Sequence, residues 1–195
     1  MDPHSAAEIF PHIRIVLGTI IGLGITRLLM TVAGVIQHPG RNRASLLHLL
    51  WVFSILVELV LFWWWEFALY DIEHWTIGII LFLVAYSVIL FLLAALLSPD
   101  NISEYAGYED FFIKRRRWFF GLFAATFFFD TVDTLIKGAH HWDRFAAAYA
   151  IQIPLGLVLC GVAIAFGDRR VQLTAVLLHM VYQAFWISMF FYSVN

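Results

Sequence analysis

Two aspartates lie one helical turn apart in the aromatic stretch FFFDTVDTLIKG, which runs from 127 to 138. On a helix Asp130 and Asp133 share a face, and Lys137 follows Asp133 by four residues, the spacing of a side-chain ion pair. Two carboxyl groups this close resist joint ionisation, and Lys137 can neutralise only one of them well. The spacing therefore predicts that Asp133 pairs with Lys137, and that Asp130 carries a proton or attracts a cation.

Other ionisable residues interrupt long apolar stretches. Arg27 and Glu58 each fall near the middle of a run long enough to cross a membrane, and we predict that they form a buried ion pair. Such a pair fits a static bridge that fixes helix register, and it equally fits a gate or a proton-sensitive switch. Glu66 should reach the level of Asp130 and Asp133.

Polar residues also cluster in two segments, 70–74 and 137–144, that we predict to be loops on one side of the membrane. Together with Glu66 and the two aspartates they form either an acidic vestibule that attracts cations or a solvated interfacial cap. Their acids and histidines are the types that bind metals, although their spacing does not require a metal site. The weak candidates for metal ligands are Glu73, His74, His140, His141 and Asp143.

Two further histidines occupy apolar runs. His179, with Gln183 one turn later, falls at mid-depth of the last run, whereas His48 falls near the edge of an earlier one. Their depths differ by about 9 Å at about 1.5 Å of rise per residue, so they are poorly placed to ligate one haem. No H-E-x-x-H, C-x-x-C, Walker or nucleophile-elbow motif is present, which makes an enzyme the less favoured class and leaves any cofactor unknown.

The composition determines the class of protein. Of 195 residues, 62% are hydrophobic and 13% are charged, and the mean hydropathy is +0.83. Soluble domains average about 45–50% apolar and about 25% charged residues. A net charge of −2 gives no basic surface for nucleic acid, and a lone cysteine, Cys160, excludes an internal disulfide. The sequence thus predicts a single membrane domain over 1–195, with the lipid bilayer as its main partner.

Apolar runs separated by polar breaks predict an all-α bundle of six transmembrane helices. A polar but spaced segment, 101–117, precedes the fourth run, and we predict that it is a short interfacial helix. The start of the chain lacks a basic region before its first apolar run, so we expect no cleavable signal peptide. The predicted spans are about 13–37, 46–69, 75–97, 118–136, 145–166 and 171–193.

The distribution of basic residues predicts the orientation. Eight of the 12 Lys and Arg residues fall in the links between spans one and two, three and four, and five and six. The opposite side carries only Arg14, Lys137 and Arg144. By the positive-inside rule the first set is cytoplasmic, which places both termini on the external side of the membrane.

Four segments carry a resemblance to a group of proteins. They are HPGR (38–41), FWWWEF (62–67), YAGYEDFFIKRRRWFFG (105–121) and DTVDTLIKG (130–138). Their combination resembles a group of small polytopic membrane proteins of proteobacteria. The resemblance implies a bacterial inner membrane and brings no activity with it.

Three classes of function fit these residues. The first is a proton- or cation-conducting channel or transporter that uses the buried ionisable side chains, including His179. The second is a non-catalytic accessory subunit or assembly factor of a larger membrane complex, or a homo-oligomer, whose aromatic faces form the interface. The third is a membrane redox or metal-binding protein. We favour the first, because ionisable residues inside membrane spans are expensive and usually functional.

Overall fold

Six long helices form the whole architecture. The structure is a computed structural model that describes residues 6–38, 44–72 and 74–193, and within these ranges the chain contains no strand. All six helices are long and apolar enough to cross a membrane, which confirms the predicted spans. The helices are α1 (Ala6–Gln37), α2 (Leu46–Trp65), α3 (Ile77–Leu96), α4 (Tyr108–Ile136), α5 (Ala139–Ala165) and α6 (Arg169–Ser193), and short 3₁₀ helices cover Glu66–Asp71 and Ile102–Glu104.

Two predicted boundaries differ from the structure. The separate interfacial helix predicted over 101–117 is wrong, because α4 begins at Tyr108 and continues unbroken to Ile136. Its first turns bury Tyr108, Phe111 and Phe112, so apolar contacts hold this segment in the bundle. The predicted loop 137–144 is largely helical, because α5 begins at Ala139, directly after a turn at Gly138 whose φ of 104° favours glycine.

Aromatic side chains fill the centre of the bundle. Trp51 of α2 is fully buried, and its ring meets those of Phe119 and Phe120 of α4 at centroid distances of 4.9 and 5.4 Å. Phe112 and Phe123 of the same helix complete the group, which we call the aromatic plug. Edge-to-face pairs of this kind add about 0.5–1.5 kcal/mol each beyond area burial, so the plug is a rigid packing centre.

Side chains tie the helix ends together on one side, where α2, α4 and α6 begin. Buried His48 places Nε2 2.7 Å from the Leu97 carbonyl oxygen at the end of α3. Gln172 donates to the carbonyls of Ala163 and Phe166 at the end of α5. These bonds satisfy carbonyls that a helix end leaves open. We call this side of the bundle the basic end, because the Lys- and Arg-rich links lie on it. We call the opposite side, where α4 ends at Ile136 and α5 begins at Ala139, the cleft end, after the cleft that lies there.

The orientation of the bundle is our first testable prediction. With eight basic residues assigned to its links, we expect the basic end to face the cytoplasm. Cys160 is the single cysteine of the sequence, so a Cys160→Ala background has no thiol of its own that a reagent could label. In intact cells, an impermeant thiol reagent should label a cysteine at exposed His140 of the cleft end and spare one at exposed Lys114. Labelling at position 114 and not at position 140 would show the opposite orientation. Asn195, which is predicted to be external, lies outside the described residues.

Candidate functional site

A buried lysine links two helices at the cleft end. Lys137, just after α4, places Nζ 3.0 Å from Oε1 of Glu66, which follows α2, and it also contacts Oδ2 of Asp133. All three side chains are at most 5% exposed. The pairing predicted from the i, i+4 spacing is therefore present, and Glu66 joins it as the depth argument expected. We call these three residues the Lys137 triad.

The triad holds two carboxyl groups and one ammonium group. Burial lowers the pKa of Lys137, but the carboxylates of Asp133 and Glu66 outweigh burial and leave that pKa above its usual range. Lys137 therefore stays charged and neutralises one of its two partners. One oxygen of each acid, Oδ1 of Asp133 and Oε2 of Glu66, is buried and accepts no hydrogen bond from the described residues. Both are acceptors that face no donor.

Asp130 lies one turn deeper along α4. Its carboxyl group interacts with the hydroxyl of Tyr149 on α5, and that hydroxyl lies 2.6 Å from Oγ1 of Thr134. Tyr149 thus connects the acid to a second polar group on α4. Asp130 thus interacts with Tyr149, whereas Lys137 bonds Asp133 and Glu66. The spacing predicted the contact between Lys137 and Asp133.

The deepest acid of the cleft is Glu58, at mid-length of α2. Its Oε2 accepts a 2.8 Å hydrogen bond from Nε2 of Gln183 on α6. The Gln183 amide also bonds both the hydroxyl and the carbonyl of Ser54, each at 3.0 Å. Nε2 of His179 stands 3.9 Å from Glu58 Oε2, beyond hydrogen-bond range. Gln183 is therefore the residue that fixes Glu58.

Two adjoining cavities lie beside these side chains. A cavity of about 250 Å³, which we call the wide chamber, is lined by Asp133, Lys137 and, at its exposed rim, Arg144. A cavity of about 40 Å³, the narrow chamber, is lined by Glu58 and His179 among others. The two cavities lie side by side, and we call them together the cleft. The residues that line both are Trp65, Asp130, Gln152, Tyr182 and Trp186.

The aromatic plug closes the deep end of this cleft. The His179 ring stacks on Trp51 at 5.8 Å and meets Phe123 edge-on at 4.8 Å. Trp51 is fully buried and Phe123 nearly so. The cleft therefore begins at the cleft end, is lined in turn by Asp133, Asp130 and Glu58, and stops at packed rings.

The predicted ion pair between Arg27 and Glu58 is wrong. Arg27 instead donates to Oδ1 of Asp100 at 2.5 Å and to the carbonyl of Ser98 at 3.2 Å. These partners lie just beyond the end of α3, the helix on which α1 packs most extensively. Arg27 therefore belongs to the basic end, away from the cleft. The prediction failed because α1 packs mainly on α3 rather than on α2, so Arg27 meets the residues that follow α3.

The weak metal candidates do not assemble. Among the described residues, no three His, Cys, Asp or Glu side chains come together as a metal site. His74, His140 and Asp143 are exposed, while His141 lines the wide chamber. Glu73, the remaining candidate, lies outside the described residues.

The sequence analysis did not predict several of the residues that line the cleft. Gln152 of α5 lines both chambers, and its Oε1 accepts no hydrogen bond from the described residues. Tyr149 and Tyr182 supply hydroxyls from α5 and α6. Gln152 has a visible signal, since it is an isolated amide in the apolar run 145–166. The two tyrosines have none, because nothing in an aromatic-rich chain distinguishes them.

A close helix contact behind the narrow chamber gives a second testable prediction. A Cβ added at Gly156 would lie 2.3 Å from the ring of Phe127, which lines that chamber, whereas one added at Gly161 meets nothing within 4 Å. Gly156→Ala should therefore cost about 1–3 kcal/mol through overpacking. Gly161→Ala should be neutral or gain about 1 kcal/mol from helix propensity. Thermal unfolding in detergent compares them, and equal midpoints would contradict the close contact.

The fold and the cleft together define a multi-pass helical membrane protein. Six apolar helices of membrane-spanning length, with ionisable side chains turned into an internal cleft, are the marks of that class. No protein-family model, curated protein or solved structure matches the chain. The function must therefore be argued from the cleft itself.

Proposed function

We propose that the protein is a transporter that moves protons or small cations through the cleft. The observation that carries this proposal is the charge at the cleft: Glu58, Asp130 and Asp133 line it, and Glu66 is bound to Lys137 beside it. Lys137 is the buried cation among these four acids, and Arg144 lies at the exposed rim. A carboxylate inside a membrane must be hydrated, paired or protonated. One lysine cannot balance four acids, so the cleft takes up protons or cations.

The depth order of the acids supports movement along the cleft. Glu66 and Asp133 belong to the Lys137 triad. Asp130 lines both chambers, and Glu58 lines the narrow chamber only. Asp130 is therefore the link between the outer layer and Glu58. A proton or cation that enters the wide chamber meets Asp130 before it can reach Glu58, His179 and Gln183.

The aromatic plug argues for gated access rather than an open channel. A conducting pore needs a continuous polar path, and here packed rings of Trp51 and Phe123 cover His179. Passage toward the basic end requires those rings to separate. Alternating access around a site near the membrane centre is the usual solution for a transporter. In the predicted inner-membrane orientation, the cleft admits its substrate from the periplasm.

Flux through proteoliposomes tests the proposal. Purified protein would be reconstituted with internal indicators for H⁺, Na⁺ and K⁺. Gradients of these ions, and of a radiolabelled organic cation such as choline, would be imposed in turn under a set membrane potential. We expect at least one cation to move faster than in liposomes without protein. Wild-type vesicles that match empty liposomes under every gradient would end the transport proposal and leave the accessory subunit as the leading class.

A further inference from the structure

We propose that the wide chamber binds an organic ammonium cation, that is, a protonated amine or a quaternary ammonium group. The inference rests on the proposed function in that it uses the same cleft, and it names the substrate class of that site. Four observations on the chamber support it: its size, its few oxygen ligands, its aromatic walls and its unpartnered acceptors.

The size of the chamber and its ligand set disfavour the simpler cations. A proton needs no cavity, whereas the wide chamber encloses about 250 Å³. Inorganic cations such as Ca²⁺ take six or more oxygen ligands, and Mg²⁺ demands near-octahedral oxygen geometry. Among the described residues no three His, Cys, Asp or Glu side chains meet as a metal site. A cation that fills the space with its own carbon atoms suits this chamber better.

Aromatic rings supply nearly half of the residues that line the chamber. Seven of the 15 residues that line the wide chamber are Trp, Tyr or Phe, among them Trp65, Tyr182 and Trp186. Ring faces attract cations within about 6 Å of their centroids, and quaternary ammonium groups are commonly recognised by such cages. The cleft end already uses this contact, since Arg14 lies 3.9 Å over Phe67 and Arg144 lies 5.5 Å over Phe145.

Acceptor atoms at the chamber require a positive or donor-bearing ligand. Asp133 lines the chamber and is 4% exposed, yet its Oδ1 has no hydrogen-bond partner in the described structure, while Lys137 holds Oδ2. Oε1 of Gln152 is a second unpartnered acceptor, and Asp130 adds a carboxyl group. A protonated amine would satisfy both the charge and the acceptors.

A pair of isosteres tests the proposal without requiring transport. The protein in detergent would be titrated with choline and, in parallel, with 3,3-dimethylbutan-1-ol, which has the same shape and no charge. Tryptophan fluorescence follows binding, because three tryptophans line the chamber. We expect saturable binding of choline and none of the alcohol. Equal binding of the two compounds, or binding of neither, would overturn the inference.

Two variants localise the binding, with a control on the same helix. Asp130→Asn should weaken choline binding by at least about tenfold through loss of the charge. Trp186→Leu keeps every acid and should weaken it by roughly three- to thirty-fold through loss of a ring. Asp110→Asn, at the basic end of α4, should leave it unchanged. If Asp130→Asn does not fold, judged by its unfolding midpoint, Trp186→Leu decides. Unchanged affinity in a folded variant would place the ligand elsewhere and overturn the inference.

The two proposals fail in different ways. Choline binding by a protein that conducts nothing in proteoliposomes would support the ammonium site and end the transport proposal. Proton flux in a protein that binds no choline would do the opposite. Choline uptake that depends on Asp130 would support both.

Discussion

Replacement of Lys137 by methionine should lower the free energy of unfolding by about 3–5 kcal/mol, because it strands the buried carboxylates of Glu66 and Asp133. Methionine keeps the length and much of the apolar volume of lysine, so the loss of charge dominates. Each acid would then face an apolar surrounding with one oxygen already unpartnered. The expected readout is a lower midpoint of thermal unfolding in detergent, followed by tryptophan fluorescence or circular dichroism.

The chain contains a matched control for this substitution. Lys114 pairs with Asp110 at 2.8 Å in the same i, i+4 relation on the same helix, but its side chain is 57% exposed. Lys114→Met should therefore change stability by no more than about 0.5 kcal/mol. Adding Glu66→Gln and Asp133→Asn to Lys137→Met should recover part of the loss, since no charge is left stranded. Equal midpoints for Lys137→Met and Lys114→Met would show that the triad does not stabilise the fold.

The pH dependence of this effect follows from the raised pKa of Lys137. A base with a higher pKa in the folded protein stabilises that state fully at pH values below its ordinary pKa of about 10.4, and the contribution is lost as the pH rises through the folded value. The difference in midpoint between wild type and Lys137→Met should therefore be steady from neutral pH to about pH 9 and should shrink only in stronger base.

Local spacing predicted the pair of Asp133 and Lys137, whereas it could not predict which distant helices meet. Asp133 and Lys137 are four residues apart on one helix, so geometry alone brings them together. Glu66 could be matched to them by depth, because it follows an apolar run of membrane length. The six spans were predictable for the same reason: a continuous hydrophobic run must form a helix when it crosses lipid.

The partners of Arg27 and Glu58 could not be predicted from spacing and depth. Depth counting treats each span as centred in the bilayer, but α1 is 32 residues long and Arg27 lies toward its basic end. It also assumes that consecutive helices supply each other's partners. The partner of Glu58 is Gln183, which is 125 positions away on α6. Periodicity gives no sign of which apolar helices pack together, so the acid could be identified and its partner could not.

Replacement of Asp130 by asparagine should abolish the cation flux that we propose, reducing it to the level of empty liposomes. Asparagine has the size of aspartate and can still hydrogen-bond the Tyr149 hydroxyl, so the bundle should fold. It can neither take up a proton nor balance a cation, and Asp130 is the acid that lines both chambers of the cleft. Losing it breaks the step from the wide chamber to Glu58.

Matched substitutions on the same helix and deeper in the cleft make the result specific to the pathway. Asp110→Asn removes an acid from α4 at the basic end, outside the cleft, and should leave flux at the wild-type rate. Glu58→Gln removes the acid of the narrow chamber and keeps its shape, so it should stop flux as completely as Asp130→Asn. Initial rates in proteoliposomes, normalised to protein with a wild-type unfolding midpoint, give the comparison. Wild-type flux in Asp130→Asn would argue against the cleft as the route, because Asp130 is the acid that lines both of its chambers.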